Sequence, residues 1–199
     1  MIAIVDYGAG NIFSVKNALD YLGLKSELVS DKESIKSADA VILPGVGAFP
    51  SAMNMLGKSG LVDTIKEESA KKPFLGICLG MQLIFSKGYE FEECDGLGLI
   101  SGSVRKMETD LIIPHMGWNK LEKLNDCPIL ENIGDDEYVY FVHSYKAYCD
   151  DRNISAYCEY DGRVPALVHD GKFVYGAQFH PEKSGETGLK ILKNFGGLI

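Results

Sequence analysis

In the first half of the chain, apolar residues come as short unbroken runs that alternate with stretches of helical period. Ile2-Ala3-Ile4-Val5 is one run, closed by Asp6-Tyr7-Gly8-Ala9-Gly10-Asn11. A helix is predicted next, with Ile12, Val15, Leu19 and Leu22 on one face and Gly23 as the stop. Leu28-Val29 predicts a second strand, and Ser30-Asp31-Lys32-Glu33 has the capping-box spacing of a helix start. Ala40-Val41-Ile42-Leu43 is a third strand, cut off by Pro44-Gly45-Val46-Gly47. A helical stretch from about Leu61 to Lys71 leads through Pro73 to the strand Phe74-Leu75-Gly76-Ile77. Strands that are apolar throughout, with no in-out alternation, point to a parallel sheet covered on both faces.

The second half reads as β. Val139 to Tyr148, Ser155 to Tyr160 and Ala166 to Phe179 are rich in Val, Tyr and Phe, and Asp170-Gly171 is a two-residue hairpin signal. Leu189, Leu192 and Phe195 mark a closing helix. No repeat, linker or low-complexity segment interrupts the chain. The expectation is one α/β domain over residues 1–199, a parallel core with an antiparallel extension.

Composition narrows the function classes. At 199 residues with 46% hydrophobic positions, the chain is long enough to bury roughly 70% of its unfolded surface without disulfides or metal. Its 28 acidic residues against 20 basic ones give a net charge of −8, which disfavours nucleic acid or an anionic membrane as partner. No apolar run approaches the ~20 residues of a membrane span. The N-terminal run turns acidic at Asp6, too early for a signal peptide, so a cytoplasmic location is expected. Cys78, Cys94, Cys127, Cys149 and Cys158 form no C-x-x-C pair, which fits neither a disulfide framework nor a zinc cluster.

One cysteine stands apart by its surroundings. Gly76-Ile77-Cys78-Leu79-Gly80 has the form of a nucleophile elbow with Cys in place of Ser. A strand that turns sharply into a helix needs small residues two before and two after the nucleophile, and Met81-Gln82-Leu83-Ile84-Phe85 follows as the helix candidate. At a helix N-terminus the dipole and the free N–H groups favour a thiolate. A buried structural cysteine on a tight turn is the alternative. A thiol nucleophile needs a base, and the base an orienting group. His180 lies in Gln178-Phe179-His180-Pro181-Glu182, where Pro181 favours an extended backbone and Glu182, two residues on, points to the same side. A satisfied core histidine is the competing reading. Pro44-Gly45-Val46-Gly47 brings backbone amides close to a ligand, and with the Leu79 N–H it supplies an oxyanion hole, or else is an ordinary strand-to-helix turn. Gly8-Ala9-Gly10 resembles a dinucleotide loop, but Phe13 occupies the place of the third glycine. His115, His143 and His169 lack metal-ligand spacing, so neither a metal nor a cofactor is expected.

With Cys78, His180 and Glu182 taken together, the chain resembles the class I (triad) glutamine amidotransferases. The motifs that carry this are Gly76-Ile77-Cys78-Leu79-Gly80-Met81-Gln82 and Gln178-Phe179-His180-Pro181-Glu182. Asp6 to Asn11, Pro44 to Phe49, Pro114-His115-Met116-Gly117-Trp118-Asn119 and Phe141-Val142-His143-Ser144-Tyr145 extend it end to end. Within the family their order is similar to glutaminase subunits serving a cyclase of histidine biosynthesis. The resemblance implies a flavodoxin-like α/β fold, L-glutamine as substrate and a γ-glutamyl thioester on Cys78. It further implies His180 as base, Glu182 as its holder, and Val46, Gly47 and Leu79 at the oxyanion site. Gly45, Gln82, Glu90, Ser144 and Tyr145 match substrate-binding positions. The implied partner is a (β/α)8-barrel synthase subunit in a heterodimer, faced by Asn11, Trp118, Tyr140 and Lys183. A paralogous sugar-amidating synthase, or a non-catalytic binding subunit on the same fold, are the other readings of the chain.

Overall fold

The computed structural model describes residues 1–199. The first half runs β1 (Ile2–Val5), α1 (Ile12–Tyr21), β2 (Ser26–Val29), α2 (Lys32–Ser37), β3 (Ala40–Gly45), α3 (Phe49–Ser59), α4 (Val62–Ser69), β4 (Phe74–Cys78) and α5 (Leu79–Leu83). Seven strands follow: β5 (Phe85–Gly88), β6 (Cys94–Asp95), β7 (Ile100–Lys106), β8 (His115–Lys120), β9 (Glu122–Lys123), β10 (Tyr138–His143) and β11 (Tyr145–Tyr148). The chain ends with β12 (Ile154–Glu159), β13 (Arg163–His169), β14 (Val174–Ala177) and α6 (Gly185–Gly196).

Eight strands form the main sheet in the order β2-β1-β3-β4-β14-β13-β12-β9. The first five are parallel and the last three antiparallel; β14, which lies in the half read as an antiparallel extension, instead joins the parallel core beside β4. Every residue of β1, β3, β4 and β14 is buried, because helices cover both faces. Alternate residues of β1 feed opposite layers. Ile2 and Ile4 pack with Val15 and Leu19 of α1 and with Ile191, Leu192 and Phe195 of α6. Ala3 and Val5 pack with Ile35 of α2, Leu56 of α3 and Ile65 of α4. Each such aliphatic or aromatic side chain contributes about 1.5–3 kcal/mol by leaving water. Two smaller sheets stand beyond the main one, the ribbon β10-β8 and the sheet β11-β7-β5-β6. No helix is long and apolar enough to cross a membrane.

The structure departs from the sequence expectations in several places. The cap of α2 is Asp31, not Ser30, since its side chain accepts the Ser34 N–H at 2.9 Å. Helix α3 is absent from the sequence reading, and it contains Pro50 and Gly57, two residues of low helix propensity. Pro50 sits in the first turn, where its missing N–H has no partner to lose. The Val139–Tyr148 run is split at Ser144 into strands of two different sheets. Helix α5 is one short turn, and Phe85 already begins a strand. The Asp170-Gly171 turn is a four-residue connection, tightened by Asp170 Oδ1, which accepts from the N–H groups of Lys172 (2.8 Å) and Val174 (3.0 Å).

The contact between α5 and β3 sets a test. A Cβ on Gly80 would lie 1.8 Å from the Leu43 carbonyl oxygen, which is backbone and cannot move aside. Gly80→Ala is expected to cost about 3 kcal/mol or more. Gly57→Ala, with open space around it inside α3, is expected to gain about 0.5–1 kcal/mol. Urea unfolding of the two variants checks both signs.

Candidate active site

Cys78 is the last residue of β4 and caps α5 with φ 55° and ψ −111°. Such a conformation costs a non-glycine residue about 1–3 kcal/mol and persists only where the surroundings hold it. Here they do. Gly76 and Gly80 let the first turn of α5 fold back on the strands, since a Cβ on Gly76 would lie 2.6 Å from the Gly80 carbonyl oxygen. The sheet register sets Gly45 of β3 beside Cys78 on one side. On the other it pairs Ile77 with Ala177, so Gln178 continues the strand next to Cys78.

His180 follows two residues after Gln178. Its N–H donates to the Tyr140 carbonyl at 3.0 Å, and its own carbonyl accepts from Ser184 Oγ at 2.7 Å. The backbone of His180 is extended, but residues 181–183 then form a single 3-10 turn. Glu182 therefore reaches the histidine through a turn and not by the parity of an extended strand. The result is the expected pair: Glu182 Oε1 lies 2.8 Å from His180 Nδ1, with both side chains buried. That bond leaves the other ring nitrogen for the Cys78 sulfur. Burial alone would lower the affinity of His180 for a proton. The hydrogen bonds and charges of Cys78 and Glu182 outweigh it and lift the imidazole to about 9. Glu182 Oε2 is buried with no hydrogen-bond partner, so the histidine is the carboxylate's one polar contact.

Cys78 and His180 open on a cavity of about 330 Å³. Val46, Gly47, Leu79, Gln82, Glu90, Ser144 and Tyr145 line it. Gly45 does not. It is buried at the end of β3, where a Cβ would lie 2.9 Å from both the Gly80 nitrogen and the Tyr7 hydroxyl, so close packing is what requires glycine there. Gly47 has φ 102°, and Val46 is about half exposed. Leu79, the first residue of α5, has an N–H with no acceptor inside the helix. The Gln82 side-chain nitrogen donates to the Tyr145 carbonyl at 3.2 Å and to Gln178 Oε1 at 3.0 Å. Glu90 Oε2 accepts the Phe49 N–H at 2.7 Å, tying the pocket wall to the start of α3.

Pro114, Val142 and His143 also line the cavity and were missed as site residues. The His143-Ser144-Tyr145 word points to this wall, but the sequence alone gives His143 no role of its own. Its Nδ1 donates to the Tyr145 carbonyl (2.9 Å), and its Nε2 lies 3.0 Å from His115 Nδ1. Burial drives His143 down to about 4, so it is neutral at pH 7. Of the residues matched to a partner face, Trp118 and Tyr140 pair across β8 and β10 with ring centroids 6.0 Å apart, and Trp118 is 54% exposed. Lys183 is exposed in the 181–183 turn, and Asn11 heads α1, which packs on that turn.

The sequence pattern of the class-I glutamine amidotransferases matches residues 3–197. The chain belongs to that family. It is 52% identical over 200 residues to the imidazole glycerol phosphate synthase subunit HisH of Bacillus cereus (strain G9842), covering 100% of this chain and 95% of that protein. The subunit of the same name from Bacillus anthracis (strain A0248) is 50% identical with the same coverage. A crystal structure of a glutamine amidotransferase superposes with a TM-score of 0.77 at 22% identity, over 98% of this chain and 100% of that one. PurLQS from Thermotoga maritima superposes at 0.72 and 23% identity, over 98% and 96%. These structures share the flavodoxin-like fold expected for a class I amidotransferase.

Two measurements test the electrostatics of this amidotransferase site. In Cys78→Ala the sulfur's support is removed while Glu182 stays, so the His180 imidazole is expected to titrate below about 9 by NMR. An unmoved midpoint would show that the sulfur is not its partner. His143, at about 4 when folded, regains an ordinary value near 6.5 on unfolding. Between those values the unfolded chain binds the extra proton, so stability is intact above pH 6.5 and falls as pH drops toward 4. Relative to His143→Gln, the wild type is expected to lose about 3 kcal/mol more over that interval in urea unfolding.

Proposed function

We propose that the chain is the glutaminase subunit of an imidazole glycerol phosphate synthase, with Cys78, His180 and Glu182 as its catalytic triad. The observation that carries this is the strained Cys78 turn opening on one cavity with the buried His180–Glu182 pair. The approximately 50% identity to HisH subunits over the whole chain supports the same reading. The cavity is at the small end of the roughly 300–1,000 Å³ range for ligand pockets, a size suited to a free amino acid.

The Cys78 thiolate attacks the side-chain carbonyl carbon of L-glutamine, and the carbonyl electron pair moves to oxygen. The N–H of Leu79 and the backbone at Val46–Gly47 receive that oxyanion. Imidazolium His180 gives its proton to the departing nitrogen, the C–N bond breaks, and ammonia leaves a γ-glutamyl thioester. Water then enters, His180 removes its proton, and hydroxide adds to the same carbon. Collapse of the second intermediate expels the Cys78 thiolate and releases glutamate. Glu182 holds the ring and stabilises its charge. Glu90 faces the α-ammonium group, while Gln82, Ser144 and Tyr145 hold the rest of the amino-acid end.

Ammonia released into bulk water would be protonated and lost as a nucleophile. A cytoplasmic heterodimer with a (β/α)8-barrel cyclase prevents this, seated on Asn11, Trp118, Tyr140 and Lys183. The exposed Trp118 beside Tyr140 suits an aromatic anchor in such an interface. Residues 1–199 act as one domain that is nearly idle until the partner binds.

Glutamine hydrolysis by the purified chain, with and without the cognate cyclase subunit and its ligand, tests the proposal. Slow turnover alone and strong stimulation by the cyclase are expected. Cys78→Ala should abolish hydrolysis in both settings while the fold survives, and Glu182→Gln should lower kcat on the order of 10²-fold or more. Full hydrolysis by folded Cys78→Ala would overturn the triad.

A further inference from the structure

Gln178 is fully buried beside the nucleophile, and the mechanism above gives it nothing to do. A buried carboxamide in that place can turn either end toward the sulfur. An N–H would favour a thiolate, whereas a carbonyl oxygen would repel one. The neighbouring hydrogen bonds decide which end it is. The Tyr145 carbonyl accepts the His143 Nδ1–H at 2.9 Å and can only accept. Gln82 must therefore point its NH2 group at that carbonyl, and it does so at 3.2 Å. The second hydrogen of the same nitrogen goes to Gln178 Oε1 at 3.0 Å. With its oxygen held there, Gln178 has only its NH2 group left to face Cys78, and Nε2 lies 4.0 Å from Sγ. A backbone carbonyl thus fixes the sense of two buried amides in series.

We propose that Gln178 is a positioning residue for the nucleophile: it aims an amide N–H at Cys78 Sγ, a direction set by Gln82 and the Tyr145 carbonyl, and so favours the thiolate. The sheet places it there, because β14 pairs Ala177 with Ile77 of β4, and Gln178 and Cys78 are the residues that follow each of them. On the opposite side stands Gly45, which has no side chain to offer. Gln178 and His180 therefore hold the sulfur through different atoms, the first with a fixed neutral donor and the second with a movable proton. This inference rests on the reading of Cys78 as the nucleophile.

The test is the pH dependence of Cys78 alkylation by iodoacetamide, read by mass spectrometry on the Cys78 peptide so that the other four cysteines do not interfere. The readout needs neither glutamine nor the partner. Gln178→Met keeps the unbranched shape without the donor. It is expected to move the alkylation midpoint upward and slow the reaction about threefold to tenfold below that midpoint. Gln178→Glu keeps the acceptor for Gln82 but turns a carboxylate oxygen toward the sulfur, so its midpoint should lie higher still. Gln82→Met, which frees Gln178 to turn over, should shift it in the same direction by less. This variant carries the test if neither Gln178 variant folds, as judged by thermal melting. A midpoint equal to that of the wild type in the folded variants would assign Gln178 to packing alone and overturn the inference. Cys78 that resists alkylation at every pH in the wild type would instead remove the nucleophile reading on which it rests.

Discussion

The active site depends on the close approach of α5 to the end of β3. Gly80 rests against the Leu43 carbonyl at a distance no side chain permits, and Gly76 makes the same allowance from the other strand. With that approach, β4 has no room to continue, and its last residue must turn back at φ 55°. The strain is of the order of 1–3 kcal/mol. It is offset by Leu79, Met81 and Leu83, which the turn carries into the core at about 1.5–3 kcal/mol each. The Cys78 sulfur is thus lifted out of the sheet by the packing of its neighbours' side chains.

Two parts of the chain then meet at the carboxyl ends of the parallel strands, where open α/β sheets bind their ligands. The parallel core brings the Val46–Gly47 backbone after β3, Cys78 at the end of β4 and the Leu79 N–H at the start of α5. The antiparallel half brings His180 after β14, and Ser144 with Tyr145 at the break between β10 and β11. That break separates two sheets, so the pocket wall is a seam and not the face of either. Glu90 belongs to neither array and reaches the cavity from the loop after β5, anchored on the first N–H of α3.

What was legible in the sequence is what local physics determines. Unbroken apolar runs announced the covered parallel strands, the glycines around Cys78 announced the turn, and the His180-Pro181-Glu182 word placed a carboxylate near an imidazole. What was hidden depends on register between distant segments. Gln178 was in plain view beside His180, but only the pairing of β14 with β4 brings it to Cys78. His143 looked like an unassigned ring until β10 set it against the pocket. Gly45 shows the converse. Its motif suggested ligand contact, whereas the structure uses its missing side chain to admit Leu79, Gly80 and Tyr7. Helix α3, absent from the sequence reading, contains Pro50 and Gly57, which are breakers in general and harmless at these two positions.

The two histidines of the pocket show how one cavity sets opposite protonation states. Both are buried, and burial pushes both toward the neutral ring. His180 faces a carboxylate and a sulfur, two groups that reward a positive charge, and it ends near 9. His143 faces a backbone carbonyl through Nδ1 and a second imidazole through Nε2, neither of which supplies a full negative charge, and it ends near 4. Their separation confines the positive charge of the cavity wall to the ring proposed to deliver a proton to the leaving nitrogen. Were His143 charged as well, it would repel the His180 imidazolium across the same pocket. Neutral, it serves another purpose: its Nδ1–H helps hold the Tyr145 carbonyl as the acceptor that orients Gln82 and, through it, Gln178. In the proposed mechanism the histidine that carries no charge thereby acts on Cys78 through geometry, and the one that carries it acts through the proton.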